Sequence, residues 1–219
     1  FWKSATEEEA SATVKVMGGE DWEIWINKLM DANLLNDGCV TVAYSYIGPE
    51  ITYPMYTKGS IGKAKEHLFE TSKQITQKYK GISAYVSVNK ALVTQSSAAI
   101  PVVPLYISIL YKIMKEYGNH EGCIEQINRL FDSRRYIAQK DEEGRTLIPV
   151  DSENRIRIDD WELDPKVQEE VNKRMATITQ ENLAQVGDLE GYRHDFLATN
   201  GFDIEGVDYS ADVKSVEMI

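Results

Sequence analysis

Cysteine, histidine and proline are scarce in this 219-residue chain, which carries 2 Cys, 3 His and 6 Pro. Two cysteines build no disulfide framework, and Cys39 in a strand-like stretch and Cys123 in a helix-like one read as inert core residues of a reducing compartment. None of His67, His120 and His194 stands at metal-ligand spacing with another His or a Cys pair. His120 and Cys123 lie one helical turn apart, but two ligands do not make a site, so a zinc centre is not expected. Arg193-His194-Asp195 offers acid-base groups without any G-x-S-x-G elbow, which argues against a hydrolase and for an exposed structural role. Gly59-Ser60-Ile61-Gly62-Lys63 imitates the end of a phosphate loop, yet Thr57 stands where the first Gly belongs and Ala64 where Ser or Thr belongs. Nucleoside triphosphate hydrolysis is excluded on that ground. Asp151, Glu153 and Asp159 do not form a calcium loop, because Ile156 occupies the position that requires Gly.

Positive charge is also in deficit. Lys and Arg total 24 against 35 Asp and Glu, a net charge of -11 and a pI near 4.8. That is the wrong sign for a general nucleic-acid or anionic-membrane binder, so an anionic ligand needs a local basic or N–H-lined pocket. No secretory signal or lipidation motif is present. The longest uncharged run lies between Lys90 and Lys112, and it contains Thr94, Gln95, Ser96, Ser97, Pro101 and Pro104. Those polar residues and prolines suit a buried helix of a cytoplasmic protein better than a membrane span.

What is present is 42% hydrophobic residues with 14 Gly, enough for one globular domain or a large part of one. Thr6-Glu7-Glu8-Glu9 has capping-box character. Residues 21–35 predict a helix with Trp22, Trp25, Ile26, Leu29 and Met30 as its apolar stripe. Residues 39–46 carry no charge and are rich in Val and Tyr, which suits a strand buried on both faces of a parallel sheet. Gly48-Pro49 stops that strand, and Ile61, Ala64, Leu68, Ile75 and Tyr79 recur at helical spacing, with Ser60 as the expected N-cap. Residues 82–89 predict a second strand by alternation, Ile82, Ala84, Val86 and Val88 facing one way and Ser83 and Ser87 the other. Two strands separated by a helix make a parallel βαβ unit.

Farther on, residues 93–118 predict a long helix that Pro101 and Pro104 either kink or break, with Ile107, Leu110, Tyr111 and Met114 inward and Gly118-Asn119 as C-cap. A helix follows over 121–135, with Ile124, Ile127 and Leu130 inward. A charged surface turn covers 139–145, short extended pieces 146–161, and a helix opened by Pro165 runs to Met175. Tyr192, Phe196, Phe202 and Tyr209 are expected to pack back on the domain.

The loop between the first strand and its helix is where an open α/β sheet places ligands, at the carboxyl end of a strand. It carries Tyr46, Tyr53 and Tyr56, and Lys65 follows within the helix. An unbroken helix, at about 100° per residue, would put Tyr56 and Lys65 on opposite faces, so they converge only if Tyr56 lies in the loop. Residues 91–94, after the second strand, emerge at the same sheet edge. From spacing alone, a proton donor with its electrostatic partner and a set of sheet-edge aromatics both remain open readings.

The segment YSYIGPEITYPMYTKGSIGKAKEHL, with its Tyr-x8-Lys pair, closely resembles the active-site segment of NADH-dependent trans-2-enoyl-CoA reductases and FabV-type enoyl-acyl-carrier-protein reductases. The likeness continues through VNKALVTQSSAAIPVVPLYISILYKIMKEYGNHEGCIEQINRLF, ENRIRIDDWE and GYRHDFLATNGFDIEG, and so covers most of the chain from Asp37 onward. The resemblance implies a doubly wound, Rossmann-like α/β fold related to the short-chain dehydrogenases, and reduction of a trans-2-enoyl thioester by NADH. It implies Tyr56 as proton donor, Lys65 as a cofactor contact that also tunes Tyr56, and Tyr46 as a substrate-lining residue. Leu92, Val93 and Thr94 would contact the nicotinamide end through their backbone.

Family members bear a Gly-rich phosphate turn near the amino terminus, whereas this chain opens at Phe1 without one. The expectation is therefore a carboxyl-terminal portion whose partner is the amino-terminal part of the same enzyme. Within it, 1–36 would be a helical lead-in, 37–135 a catalytic βαβα core, and 136–219 carboxyl-terminal helices and tail. The substrate would be an acyl-CoA thioester, with an acyl-carrier-protein thioester as the alternative and no nucleic acid or integral membrane span involved. A catalytically silent binding module is the rival from another class.

Overall fold

A computed structural model describes residues 4–132, 139–140, 142 and 146–212. Two helices lead in, α1 (Glu7–Met17) and α2 (Glu20–Asp31). The Thr6 capping box forms as its sequence predicts: Thr6 Oγ1 accepts from the Glu9 N–H, and the Glu9 carboxylate accepts from the Thr6 N–H. Then come β1 (Cys39–Ser45), a 3-10 turn (Glu50–Thr52), α3 (Ser60–Lys78) and β2 (Ile82–Val88). Gly59 is the N-cap of α3 and Ser60 its first helical residue, one position earlier than the sequence suggests.

The uncharged run breaks rather than kinks. It gives a short α4 (Gln95–Ala98), then α5 (Val103–Tyr117), with Val102 between them at φ 69°. No helix among the described residues is long and apolar enough to cross a membrane. α6 (Cys123–Phe131), the two-residue strands β3 (Gln139–Lys140) and β4 (Thr146–Leu147), and β5 (Arg155–Arg157) follow. α7 (Pro165–Thr177), α8 (Leu183–Val186) and α9 (Leu189–Ala198) complete the described elements. β3 and β4 pair antiparallel, so a small hairpin stands where a plain surface turn is predicted.

β1, β2 and β5 form one parallel sheet in that order, with Cys39 opposite Ile82, Ser45 opposite Val88, and Val86 opposite Arg155. β2 is central, which is why Ser87, predicted to face away from the core, is fully buried and bonds Asn89 Oδ1 at 2.9 Å. β1 is an edge, and the expectation of two buried faces fails there: most of its residues are half-buried and Tyr44 is 46% exposed. Alternation along β2 still sends Ile82 and Ala84 under α2 and α3, packed with Ile26 and Ile75. Tyr85 and Val42 face Leu130 of α6 on the other side, beside Ile156 and Ile158. Helices thus cover both faces of the sheet.

A third core joins α5 to α7 and α9. Ile107, Leu110, Tyr111 and Met114 are at most 1% exposed, as predicted, and Tyr192 and Phe196 pack against them. Four inward assignments fail. Trp25 (61% exposed) lies outside the α2 stripe, and Ile124 (77%) faces solvent because α6 turns Gln126 and Arg129 inward instead. Phe202 and Tyr209 pack on each other at 5.8 Å rather than on the core, and both remain about half exposed.

Candidate active site

The loop after β1 is knitted by its own polar groups. Asn89 N–H donates to Ser45 O, which extends the β1–β2 ladder by one step. Thr57 Oγ1 donates to Ile47 O at 3.1 Å and Thr52 Oγ1 to Pro49 O at 2.8 Å. The Tyr56 N–H donates to Thr52 O and its carbonyl accepts from Gly59 N–H, so Tyr56 sits in a turn just ahead of α3. Two glycines are required here. Gly48 lies at φ 74°, and a Cβ on it would collide with the Tyr46 hydroxyl; a Cβ on Gly62 would strike the Thr57 backbone.

This folding brings Tyr56 and Lys65 to one cavity of about 210 Å³, lined also by Tyr46, Ile47, Thr57, Gly62, Glu66, Phe69 and Arg155. Tyr46 and Tyr56 meet edge to face, ring centroids 5.1 Å apart at 81°. Tyr56 is 7% exposed, and its hydroxyl has no hydrogen-bond partner among the described residues. Burial pushes that hydroxyl up to about 12, so it is protonated at neutral pH and suited to donate. The lowering expected from a nearby lysine is not seen: burial alone sets the shift. Lys65 is half-buried, and desolvation draws its ammonium below the usual lysine range. Neighbouring Lys63 is exposed.

Behind the cavity stands Glu162, fully buried. Its Oε1 accepts from the Tyr46 hydroxyl at 2.9 Å and the Tyr106 hydroxyl at 2.6 Å, and its Oε2 accepts from Ala91 N–H at 2.6 Å. Lys90, 2% exposed, donates to Ala91 O and lies over the Tyr111 ring at 4.7 Å. Burial pushes Lys90 down to about 8 against the opposing pull of Glu162 and Glu121.

With this geometry in place, the comparison with known proteins is direct. The family described as the trans-2-enoyl-CoA reductase catalytic region matches residues 2–136. The chain belongs to the trans-2-enoyl-CoA reductase family. A second family description, the enoyl reductase FAD binding domain, matches residues 150–213. A trans-2-enoyl-CoA reductase [NADH] of Treponema denticola is 59% identical over 98% of this chain and 53% of its own length. An enoyl-[acyl-carrier-protein] reductase [NADH] of Flavobacterium johnsoniae is 56% identical over 97% of this chain and 52% of its own. Among solved structures, the Treponema denticola reductase in complex with NAD superposes with a TM-score of 0.87 at 57% identity, covering 98% of this chain and 52% of that one. The Clostridium acetobutulicum reductase in complex with NADH gives a TM-score of 0.89 at 46% identity, over 97% and 52%. The chain thus spans about half the length of these relatives.

The site residues that the family resemblance assigns divide into two groups. Tyr46, Tyr56 and Lys65 share the cavity, whereas Leu92, Val93 and Thr94 lie outside its lining. Their backbone groups are engaged within the chain. Val93 N–H donates to the Tyr111 hydroxyl, Thr94 N–H to Ser97 Oγ, and Leu92 O accepts from Ser97 Oγ. Val93 lines a larger cavity of about 670 Å³ with Tyr111, His120, Cys123 and Asp195. Glu162, Lys90 and Tyr106 escape sequence reasoning, because Glu162 meets Tyr46 across 116 positions and Ala91 across 71. The one signal was a carboxylate inside the family-like stretch ENRIRIDDWE.

The other candidate groups have structural occupations. Asp151 and Asp159 are paired with Arg155 and Arg157, and the described residues contain no cluster of three metal-ligating side chains. His67 Nδ1 accepts from Gly19 N–H, and the exposed His194 faces Asp203. His120 stacks edge-on against Tyr111 at 4.4 Å, and burial first, then Lys90 and Lys115, push it down to about 4. An unfolded histidine titrates near about 6.5, so between these values the unfolded chain holds a proton that the folded chain does not. Stability therefore falls as pH drops from about 6.5 to about 4. Thermal midpoints across that window should show a shallower loss in His120→Phe, which keeps the ring contact; equal slopes would remove His120 as the cause.

Proposed function

We propose that this chain is the carboxyl-terminal part of an enzyme that reduces the trans-2 double bond of an enoyl thioester with NADH. The observation that carries the reading is the shared cavity of Tyr56 and Lys65 at the carboxyl end of β1, in a chain of this family. On this reading the three strands belong to a larger doubly wound parallel sheet, and the relatives' additional length supplies the Gly-rich phosphate turn. The divisions at 36–37 and 135–136 then separate lead-in, catalytic core and carboxyl-terminal helices.

When bound, NADH supplies the hydride. Lys65 suits its ribose hydroxyls: it is a half-buried ammonium at the cavity with no ion-pair partner among the described residues. Leu92, Val93 and Thr94 would serve the nicotinamide end through carbonyl lone pairs beyond those their internal bonds use. As hydride adds to the β-carbon, the double-bond electrons shift through the α-carbon onto the thioester oxygen, forming an enolate. Tyr56 holds that oxygen by hydrogen bond or gives its proton to the enolate, which yields the saturated thioester; water returns a proton to the phenolate. Tyr46 walls the cavity with its ring. Lys65 gives an acidic chain a local positive charge for an anionic thioester. The acidic balance favours CoA over an acyl-carrier protein, whose thioester is the second reading.

The test is NADH consumption by the full-length polypeptide with crotonyl-CoA, comparing Lys65→Met with Lys63→Met. Loss of a charged hydrogen-bond partner should raise the NADH KM by about 10- to 100-fold in Lys65→Met. Lys63→Met should match wild type. If the two variants behave alike, Lys65 has no role in the site.

A further inference from the structure

Three donors converge on Glu162. It joins the chain just after β1, the chain just after β2 and α5, through Tyr46, Ala91 and Tyr106. All three partners are donors, so the side chain must be an acceptor on both oxygens. An ionised carboxylate meets that demand with every donor as it stands, whereas an amide meets it only if both phenol hydroxyls turn to accept. A phenol has one proton. That of Tyr46 goes to Glu162, while the Tyr56 hydroxyl has no partner among the described residues. Glu162 therefore leaves Tyr56 as the one phenol of the cavity whose proton is uncommitted, and it fixes the Tyr46 ring against which Tyr56 rests.

We propose that Glu162 is a positioning residue for the reductase site: by holding the Tyr46 hydroxyl and the Ala91 N–H together, it fixes the Tyr46 ring behind Tyr56 and aligns the segment after β2 with the cavity. The inference rests on the reductase reading above. Tyr46 then serves the reaction through its ring, with its hydroxyl proton given to Glu162. Gln168 supports the arrangement from α7, donating to the Tyr106 hydroxyl at 3.2 Å and to Glu162 O at 2.7 Å.

Glu162→Gln tests this in the full-length polypeptide. Whichever way the amide turns, its –NH2 meets a group that now donates to Glu162. A shift of the wall of about 1 Å should lower kcat on crotonyl-CoA by about 10- to 100-fold. Tyr46→Phe should lower kcat by about tenfold alone and by less than about twofold once Gln is at 162, because both changes break the same contact. Multiplicative losses would overturn the proposal. So would a Glu162→Gln enzyme whose thermal midpoint falls while kcat, measured well below it, stays at the wild-type value. A Tyr46→Phe loss of about a hundredfold or more in both backgrounds would make the Tyr46 hydroxyl a direct donor and would also overturn it.

A second measurement is independent of turnover. With tyrosines labelled at the 13Cζ position, the Tyr46 and Tyr106 resonances should move in Glu162→Gln while exposed Tyr209 does not; unmoved resonances overturn the hold itself. Absence of reductase activity in the wild-type polypeptide, with those resonances shifting, would instead sink the reductase reading and leave the contact standing.

Discussion

Tyr56→Phe lowers kcat on an enoyl thioester by about two to four orders of magnitude, the range expected for loss of a general acid, while the fold is retained. The ring fills a site that is 7% exposed and rests edge to face on Tyr46, so Phe preserves the packing and deletes only the oxygen. The hydroxyl has no hydrogen-bond partner among the described residues, so its removal strands no buried group. The measurement is single-turnover reduction beside an unfolding curve. Activity within a few-fold of wild type would take Tyr56 out of the mechanism. A collapsed unfolding midpoint would mean that the hydroxyl has a structural duty the geometry does not reveal.

Arg129→Ala is the most damaging change expected for stability. Arg129 is 6% exposed; Nε and one terminal nitrogen donate to Glu121, and that nitrogen also reaches Ile158 O. The other terminal nitrogen reaches Asp160 at 2.6 Å, and the guanidinium lies 4.1 Å from the Trp161 ring centroid. Deleting it leaves Glu121, 3% exposed, as an uncompensated buried charge, a loss of about 3–5 kcal/mol. Lys73→Ala, which removes a solvent-exposed pair with Glu70, should leave the urea midpoint nearly where it is in wild type. Urea midpoints decide, and comparable shifts would mean that the buried pair is solvated in solution. A functional effect should accompany the loss, because α6 also supplies Gln126 Oε1 to the Lys90 N–H and so steadies the segment after β2.

The local signals were legible wherever one element answers to its own sequence. The Thr6 capping box, the αL Gly118 cap and the inward stripe of α5 read correctly, because their causes lie within a few residues of each other. The Tyr56 turn was legible for a similar reason: only a turn before α3 lets Tyr56 and Lys65 meet. What failed depends on neighbours distant in the chain. Burial on both faces, expected of β1, belongs instead to β2, where alternation with one polar face is expected, because position in the sheet decides it and composition does not. Ile124 was taken for core on periodicity, but Arg129 and Gln126 claimed the inward face of α6 through partners at Glu121, Lys90 and Ile158. Glu162 was invisible for the same reason, since a carboxylate in a run of acids reads as solvated until three remote donors close on it.

The half-exposed edge strand has a consequence for assembly. Along the outer side of the seven-residue β1, alternate residues carry ladder N–H and C=O groups with no strand beside them among the described elements. The opposite edge, β5, is three residues long and flanked by ion pairs of Arg155 and Arg157. β1 is therefore the side from which this sheet can be extended, and a strand supplied there would lie next to the turn that carries Tyr56. Any segment that completes the sheet would also form the next wall of the cavity, while a wrong strand captured at the same edge would seed aggregation at the site itself.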